Sequence, residues 1–155
     1  MVSALDVNTN KLLTNVAGKL KEKGVTTPSF IGSVKTGAHN ERLPEQDDFF
    51  YVRCASILRQ TYIRNVVGVQ RLRLHYGGKK NRGVKPNKSV RAGGSIIRKA
   101  LQALENAGFI EKIEKGKIKG RKLTPQGRKL LDQCAKEIKR GDKGKLADLV
   151  RAKST

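Results

Sequence analysis

The cationic side chains are the residues of this sequence most clearly arranged for a chemical role, because one long window contains them without any carboxylate. From Phe49 through Leu104 the chain contains no Asp or Glu across 56 residues, yet it contains 13 Lys or Arg. A merely solvated surface mixes both signs of charge, whereas phosphates repel carboxylates from a surface that faces them. The window therefore predicts phosphate binding, with a generally basic, soluble surface as the alternative.

The charge of the whole chain indicates a polyanionic partner. The 34 Lys and Arg outnumber the 13 Asp and Glu, which gives a net charge of +21. The first 50 residues contain six basic and six acidic side chains, so the excess comes from the rest of the chain. A free enzyme rarely tolerates such self-repulsion, and nucleic acid is the commonest partner at a pI near 10.4.

The residues that could support catalysis or metal binding are not arranged for it. The glycine-rich stretch 76–83 lacks a following phosphate-binding Lys-Ser or Lys-Thr pair at the required spacing. Cys54 and Cys134 fall on apolar helical positions and are predicted to be buried thiols, and they have no zinc-site spacing with His39 or His75. We expect no enzyme activity, no cofactor, no metal and no small-molecule substrate.

The hydropathy pattern gives no reason to expect a membrane partner. No run approaches the roughly 18 apolar residues of a transmembrane helix. The N-terminus also lacks the basic and apolar regions of a secretory signal, so a cytoplasmic location is expected.

Hydrophobic periodicity predicts a largely helical chain with one pair of strands. The helix over 49–64 is apolar on two sides, so we expect it to lie centrally, with Asp47 or Asp48 as its cap. Ser95 is predicted to cap another helix, and residues 76–94 have the composition of a flexible basic loop. Further helices are expected over 8–23, 28–37, 66–74, 95–107 and from 125 onward, with strands over 109–114 and 118–123.

This order predicts a mainly α fold, a helical bundle around a central helix with a winged-helix-like part over about 66–139 and a small basic β-hairpin. One domain is expected over 1–140, followed by a basic, mobile tail over 141–155. Winged helices present the outer strip of one helix to nucleic acid beside a basic hairpin, the wing, although some bind proteins instead. The strip is Ser95, Arg98, Lys99, Gln102 and Asn106, and the wing carries Lys115, Lys117, Lys119, Arg121 and Lys122.

Several motifs resemble one known family. The segment 48–64, Asp-Phe-Phe-Tyr-Val-Arg-Cys-Ala-Ser-Ile-Leu-Arg-Gln-Thr-Tyr-Ile-Arg, is similar to the central helix of the eukaryotic and archaeal small-subunit ribosomal protein S-nineteen family, which is distinct from the bacterial protein of that number. The likeness spans about 5–139. It continues through Gly68-Val69, Tyr76-Gly77-Gly78, Asn81-Arg82-Gly83-Val84 with Pro86, the helix 95–105, and Gly120-Arg121-Lys122-Leu123-Thr124-Pro125-Gln126-Gly127.

The resemblance implies a structural constituent of the head of the small (40S) ribosomal subunit. It implies contact with small-subunit ribosomal RNA and neighbouring ribosomal proteins, a role in maturing the RNA precursor, and cytoplasmic residence after nucleolar passage. The family's RNA-facing basic positions carry over onto Arg53, Arg59, Arg98 and Arg121, with Lys99 where the family often has Arg. Phe49 stands where the family usually has Trp, which affects packing detail only.

The residue patterns and the resemblance together give one set of predicted RNA-binding side chains. The set is Arg53, Arg59, Arg64, Arg71, Arg73, Lys79, Lys80, Arg82, Lys85, Lys88, Arg91, Arg98, Lys99, Lys115, Lys117, Arg121 and Lys122. The alternative function is a winged-helix DNA-binding regulator. The spread of charge over a loop and the central helix favours folded RNA instead.

Overall fold

The computed structural model describes the backbone of residues 2–115 and 118–153, and the side chains of 2–114 and 119–141. Within these residues the protein is mixed α/β, about half helical, with two small antiparallel sheets. The prediction of a mainly α fold with one hairpin was therefore too helical. The elements are α1 Thr9–Glu22, α2 Phe49–Arg64, β1 Val66–Val67, α3 Val69–His75, β2 Gly78–Arg82, β3 Lys85–Val90, α4 Gly94–Asn106, β4 Ile110–Lys115, β5 Ile118–Leu123 and α5 Pro125–Lys153.

Helix α2 is the central element, as its two apolar sides predict. It packs against α1, α4 and α5 and against strands β1 and β5. Phe50, Cys54, Ile57 and Leu58 are fully buried on it. Asp48 occupies the N-cap position but makes no capping bond with its side chain; its carboxylate instead accepts from Lys21 Nζ at 2.9 Å. The capping position was predicted, whereas the capping bond is absent.

The small sheet and the helices beside it are consistent with a winged-helix-like fold. Strand β1 pairs antiparallel with β5, and β5 with β4, which gives the sheet order β1-β5-β4. The approach of β1 to β5 requires glycine at 120, because a Cβ there would lie 2.6 Å from Val66 Cγ1 and 3.1 Å from the Val67 carbonyl oxygen. The wing therefore joins the helical body directly, and α4 packs on α2 and α3 beside it.

Two local predictions were wrong. Residues 28–37 form turns instead of a helix, because Gly32 adopts a φ of +98°, which no right-handed helix contains. Ser95 is not the cap of α4; Gly93 holds that position, and its N–H donates to the Thr36 carbonyl at 2.8 Å. The 28–37 segment thus lies against the start of α4.

The predicted flexible loop contains a second β-hairpin, β2–β3. Its register pairs Gly78 with Val90 and is interrupted by a bulge between Lys80 and Arg82. At the tip, the Asn81 side-chain oxygen accepts from the Gly83 N–H at 3.0 Å. Backbone hydrogen bonds between the strands and the turn at the tip define this hairpin. A prediction from the hydrophobic pattern missed it because its side chains are not buried. Its mobility in solution remains a prediction.

The starts of the first and last helices were predicted more closely. Helix α1 begins where the Asn8 side chain accepts from two backbone N–H groups and ends before Gly24. Helix α5 begins where Thr124 Oγ1 accepts from the Gly127 N–H at 3.2 Å. It continues through Lys153, past the predicted start of the tail at 141.

Candidate nucleic-acid interface

The outer strip of α4 is positioned for an external ligand. Arg98, Lys99, Gln102 and Asn106 are exposed, whereas the opposite face of the helix contributes six buried apolar residues. Neither Arg98 nor Lys99 forms an ion pair with a carboxylate among the described residues. These two cations are therefore available to phosphates.

The β2–β3 hairpin carries five exposed cations. It holds them away from the core, because along both strands only the first residue of β2 and the last of β3 are partly buried. Within the described residues none of them pairs with a carboxylate. The set is Lys79, Lys80, Arg82, Lys85 and Lys88, with Arg91 exposed directly after β3.

The hairpin register places like charges opposite one another. Lys80 faces Lys88, and Arg82 faces Lys85. Directly opposed like charges destabilise a β-ladder by up to about 1 kcal/mol each. An anion between the strands would remove this repulsion. Within the described residues these like-charge pairs are uncompensated.

Part of the wing has the opposite arrangement, because three of its described cations, Lys112, Arg121 and Lys122, are compensated by carboxylates of the protein itself. Lys112 and Arg121 face each other across β4 and β5, and both reach Glu105 of α4, at 3.4 and 3.3 Å. Lys122 pairs with Glu111 at 2.6 Å. Arg121 is only 16% exposed and Glu105 24%. These ion pairs fix the wing to α4, and they leave Arg121 and Lys122 less available than the hairpin cations.

Arg53 is held inside an aromatic cluster on the central helix. Its guanidinium lies 4.1 Å from the Tyr76 ring centre and 5.2 Å from that of Phe49, both cation–π distances. The Tyr76 hydroxyl is hydrogen-bonded to Ser56 Oγ at 2.8 Å. Burial lowers the pKa of Arg53 and raises that of Tyr76. Arg53 thus joins α2 to the end of α3, and only its partly exposed edge faces outward.

The other predicted arginines of α2 and α3 divide between internal and external positions. Arg73 donates to the Ala92 carbonyl at 2.9 Å and ties α3 to the segment before α4. Arg59 is half-buried, and its buried Nε has no hydrogen-bond partner among the described residues. Arg64 and Arg71 are exposed and line a broad groove of about 660 Å³ along β1.

Three further side chains join these surfaces: Lys119, which was placed on the predicted wing but not in the RNA-binding set, and Phe30 and Lys35, which were not predicted. Lys119 lies beside Arg64 and Arg71 in the groove along β1. Phe30 and Lys35 line a cavity with Arg98 and Lys99 at the start of α4. Phe30 and Lys35 were missed because a helix was wrongly predicted over 28–37, and that prediction gave no indication that the segment lies beside α4. The side chains of Lys115 and Lys117 lie outside the described residues.

No catalytic or metal centre is visible in the described part of the chain. It contains no cluster of His, Cys, Asp and Glu that could hold a metal ion. Both cysteines are free and buried, as predicted, and burial raises the pKa of the Cys54 thiol to about 12. A thiol in that state is protonated and unreactive at neutral pH. Of the helices described, none has the length and apolar content to cross a membrane.

Fold and surface together define a basic, winged-helix-like protein with an added cationic hairpin. Residues 3–141 match the family model described as ribosomal protein S19e. The chain belongs to this family of ribosomal proteins, as the resemblance at residues 48–64 predicted.

Similar proteins come from archaea and eukaryotes. The small ribosomal subunit protein eS19 of Aeropyrum pernix is 46% identical over 141 residues, which cover 89% of this chain and 90% of that protein. The small ribosomal subunit protein eS19G of Ascaris suum is 44% identical over 142 residues, 91% of this chain and 95% of that one. The small ribosomal subunit protein eS19A of Schizosaccharomyces pombe is 44% identical over 135 residues, 86% and 92%.

Proposed function

We propose that this protein is a structural constituent of the small ribosomal subunit, where it binds small-subunit ribosomal RNA through phosphate contacts. The observation that carries the proposal is the set of uncompensated cations on the β2–β3 hairpin and on α4. Their like-charge pairs, Lys80 with Lys88 and Arg82 with Lys85, are unfavourable until an anion lies between them. The names of the relatives place those proteins in the same subunit.

RNA fits this surface better than duplex DNA does. A DNA-binding winged helix concentrates its contacts on one helix and one wing. Here the wing cations Arg121 and Lys122 are paired internally, while the free charge extends along an additional hairpin between α3 and α4. Folded RNA, which proteins recognise by its shape and phosphates, meets such a surface from several directions.

We further propose that the protein is needed for maturation of the ribosomal RNA precursor and for assembly of the subunit. It would enter the subunit during passage through the nucleolus and remain in its head, beside neighbouring ribosomal proteins, in the cytoplasm. The uncompensated cations of the hairpin and α4 support this role, because a protein that binds and stabilises one RNA arrangement favours the assembly steps that need it.

Sedimentation tests the structural role in the subunit, and depletion tests the role in maturation of the RNA precursor. In a sucrose gradient of cell extract, the protein should migrate with small subunits and stay there at moderate salt. Its depletion should cause precursor RNA to accumulate and free small subunits to fall. A protein found only in light fractions would contradict the structural role. Normal precursor processing after depletion would remove the maturation role alone.

A further inference from the structure

A cavity at the start of α4 combines an apolar floor with a cationic rim. Its volume is about 400 Å³, within the range of roughly 300–1,000 Å³ typical of ligand sites. Phe30, Val34 and Ile96 supply the apolar part, while Ser95 and Gly93 border it. The cations of its lining are Lys35, Arg98 and Lys99. No carboxylate belongs to the lining.

Two separate segments of the chain form this cavity, residues 30–35 and residues 93–99. Phe30 and Val34 come from the turns that Gly32 produces, and Ile96 is nearly buried in α4. The Gly93 N–H bond to the Thr36 carbonyl, at 2.8 Å, and the bridge between Gly37 and Ala92 hold the turn segment against α4. The cavity is therefore fixed by backbone bonds and does not depend on loose side chains.

We infer that this cavity receives an unpaired nucleobase of the bound RNA, with its flanking phosphates held by Lys35, Arg98 and Lys99. The inference rests on the proposed RNA-binding function and names the part of the RNA that this site takes. An aromatic ring within a basic groove is the arrangement by which proteins bind unpaired nucleotides, since every base has a face that stacks. Phe30 provides that ring here.

The charge of the rim decides between a base and an apolar side chain of a protein partner. An apolar side chain would fill the apolar part of the cavity but would give Lys35, Arg98 and Lys99 no anionic partner. A nucleotide satisfies both parts at once, because its base is flat and largely apolar on its faces and its phosphate is anionic. The neighbouring cavity of about 240 Å³, beside Phe49 and Arg53, is less suited because Glu45 lines it.

The test compares two RNA probes at one salt concentration: a short RNA duplex, and the same duplex with one bulged adenosine. A base–aromatic stack changes affinity by roughly five- to 150-fold. The wild-type protein should therefore prefer the bulged probe by a factor in this range. Phe30→Ala, which removes the ring, should abolish the preference and leave affinity for the plain duplex unchanged.

A second variant keeps the test valid should Phe30→Ala loosen the turn segment. Ser95 is exposed at the cavity, so Ser95→Leu fills it from the α4 side with a group that cannot stack, and it should also remove the preference. Leu5→Ala is the matched control, because Leu5 is an exposed apolar residue in the N-terminal segment that bonds to α5. This control should keep the preference.

The possible outcomes separate the two levels of inference. Equal binding of both probes by the wild-type protein would overturn base capture and leave phosphate binding intact. A preference that survives both Phe30→Ala and Ser95→Leu would place the unpaired base elsewhere and would also overturn the inference. Failure to bind either probe, even at low salt, would instead contradict the proposed RNA-binding function. In a third probe, in which 4-thiouridine replaces the bulged adenosine, the bulged base should crosslink to peptides that contain Phe30 or residues 95–99.

Discussion

Removal of the hairpin charges should flatten the salt dependence of RNA binding. The change replaces with Gln the four cations that form the two like-charge pairs of β2 and β3: Lys80, Arg82, Lys85 and Lys88. Each phosphate contact contributes about 0.9 to the slope of log affinity against log salt, so four contacts contribute about 3.6. Between 50 and 200 mM salt they account for a loss of affinity of roughly 150-fold. The variant should therefore lose about 150-fold less affinity than the wild-type protein over this salt range.

The matched control removes the same charge from another face. Helix α5 offers three lysines and one arginine that are equally exposed: Lys129, Lys136, Lys139 and Arg140. Replacing them with Gln lowers the net charge by the same amount, so long-range attraction changes similarly in both variants. The slope should fall by about 3.6 in the hairpin variant and by far less in the control.

Fluorescence anisotropy of a labelled RNA duplex, titrated across a salt series, measures both slopes. Thermal unfolding of the hairpin variant should show no loss of stability, because each substitution pair also removes a repulsion of up to about 1 kcal/mol. Equal slopes for the two variants would refute the reasoning, since binding would then follow net charge and not the hairpin surface.

Four substitutions and a pH series test other parts of the structure. Arg98→Glu should reduce incorporation into small subunits while changing the stability of the free protein by no more than about 0.5 kcal/mol, and a large fall in its melting temperature would make Arg98 structural. Leu58→Ala should cost about 2–5 kcal/mol in denaturant unfolding, because Leu58 is fully buried on α2. In the same assay Gly18→Ala, with open space around it, should gain up to about 1 kcal/mol. Gly127→Ala should instead lose about 1–3 kcal/mol, because its Cβ would lie 2.5 Å from a backbone carbonyl oxygen, and equal effects at the two glycines would contradict this close packing. The folded pKa of Cys54, about 12, lies above its ordinary 9.0, so its contribution to stability should be complete below pH 9 and lost as pH rises toward 12, and the thiol should react with Ellman's reagent at pH 8 only after unfolding.

The two hairpins show that a high content of Lys and Arg does not by itself identify an RNA-binding surface. Both are rich in Lys and Arg in the sequence, and both were assigned to RNA binding on that ground. In the wing, Glu105 lies between Lys112 and Arg121 and neutralises their repulsion. No such carboxylate reaches Lys80 and Lys88 among the described residues. Two hairpins that are both rich in Lys and Arg therefore differ in how far the protein compensates their charge.

The sequence by itself determined the helices whose burial follows a periodic pattern, and with them the central place of α2. Apolar spacing predicted α1, α2 and α4 closely, because a buried stripe must repeat with the helical period. The missing carboxylates between Phe49 and Leu104 indicated a phosphate-facing surface, and the motif at 48–64 indicated the family. These properties depend on residue type and order along the chain.

Only the tertiary structure decided which cations are free. Whether Arg121 meets a phosphate or Glu105 depends on where β5 lies relative to α4, and that placement is set by strand pairing between residues distant in sequence. The cavity beside Phe30 likewise exists because the bond from Gly93 to Thr36 brings two separate segments together. Local patterns carry no information on such contacts, since the contacts arise from packing of the whole chain and not from the neighbours of each residue.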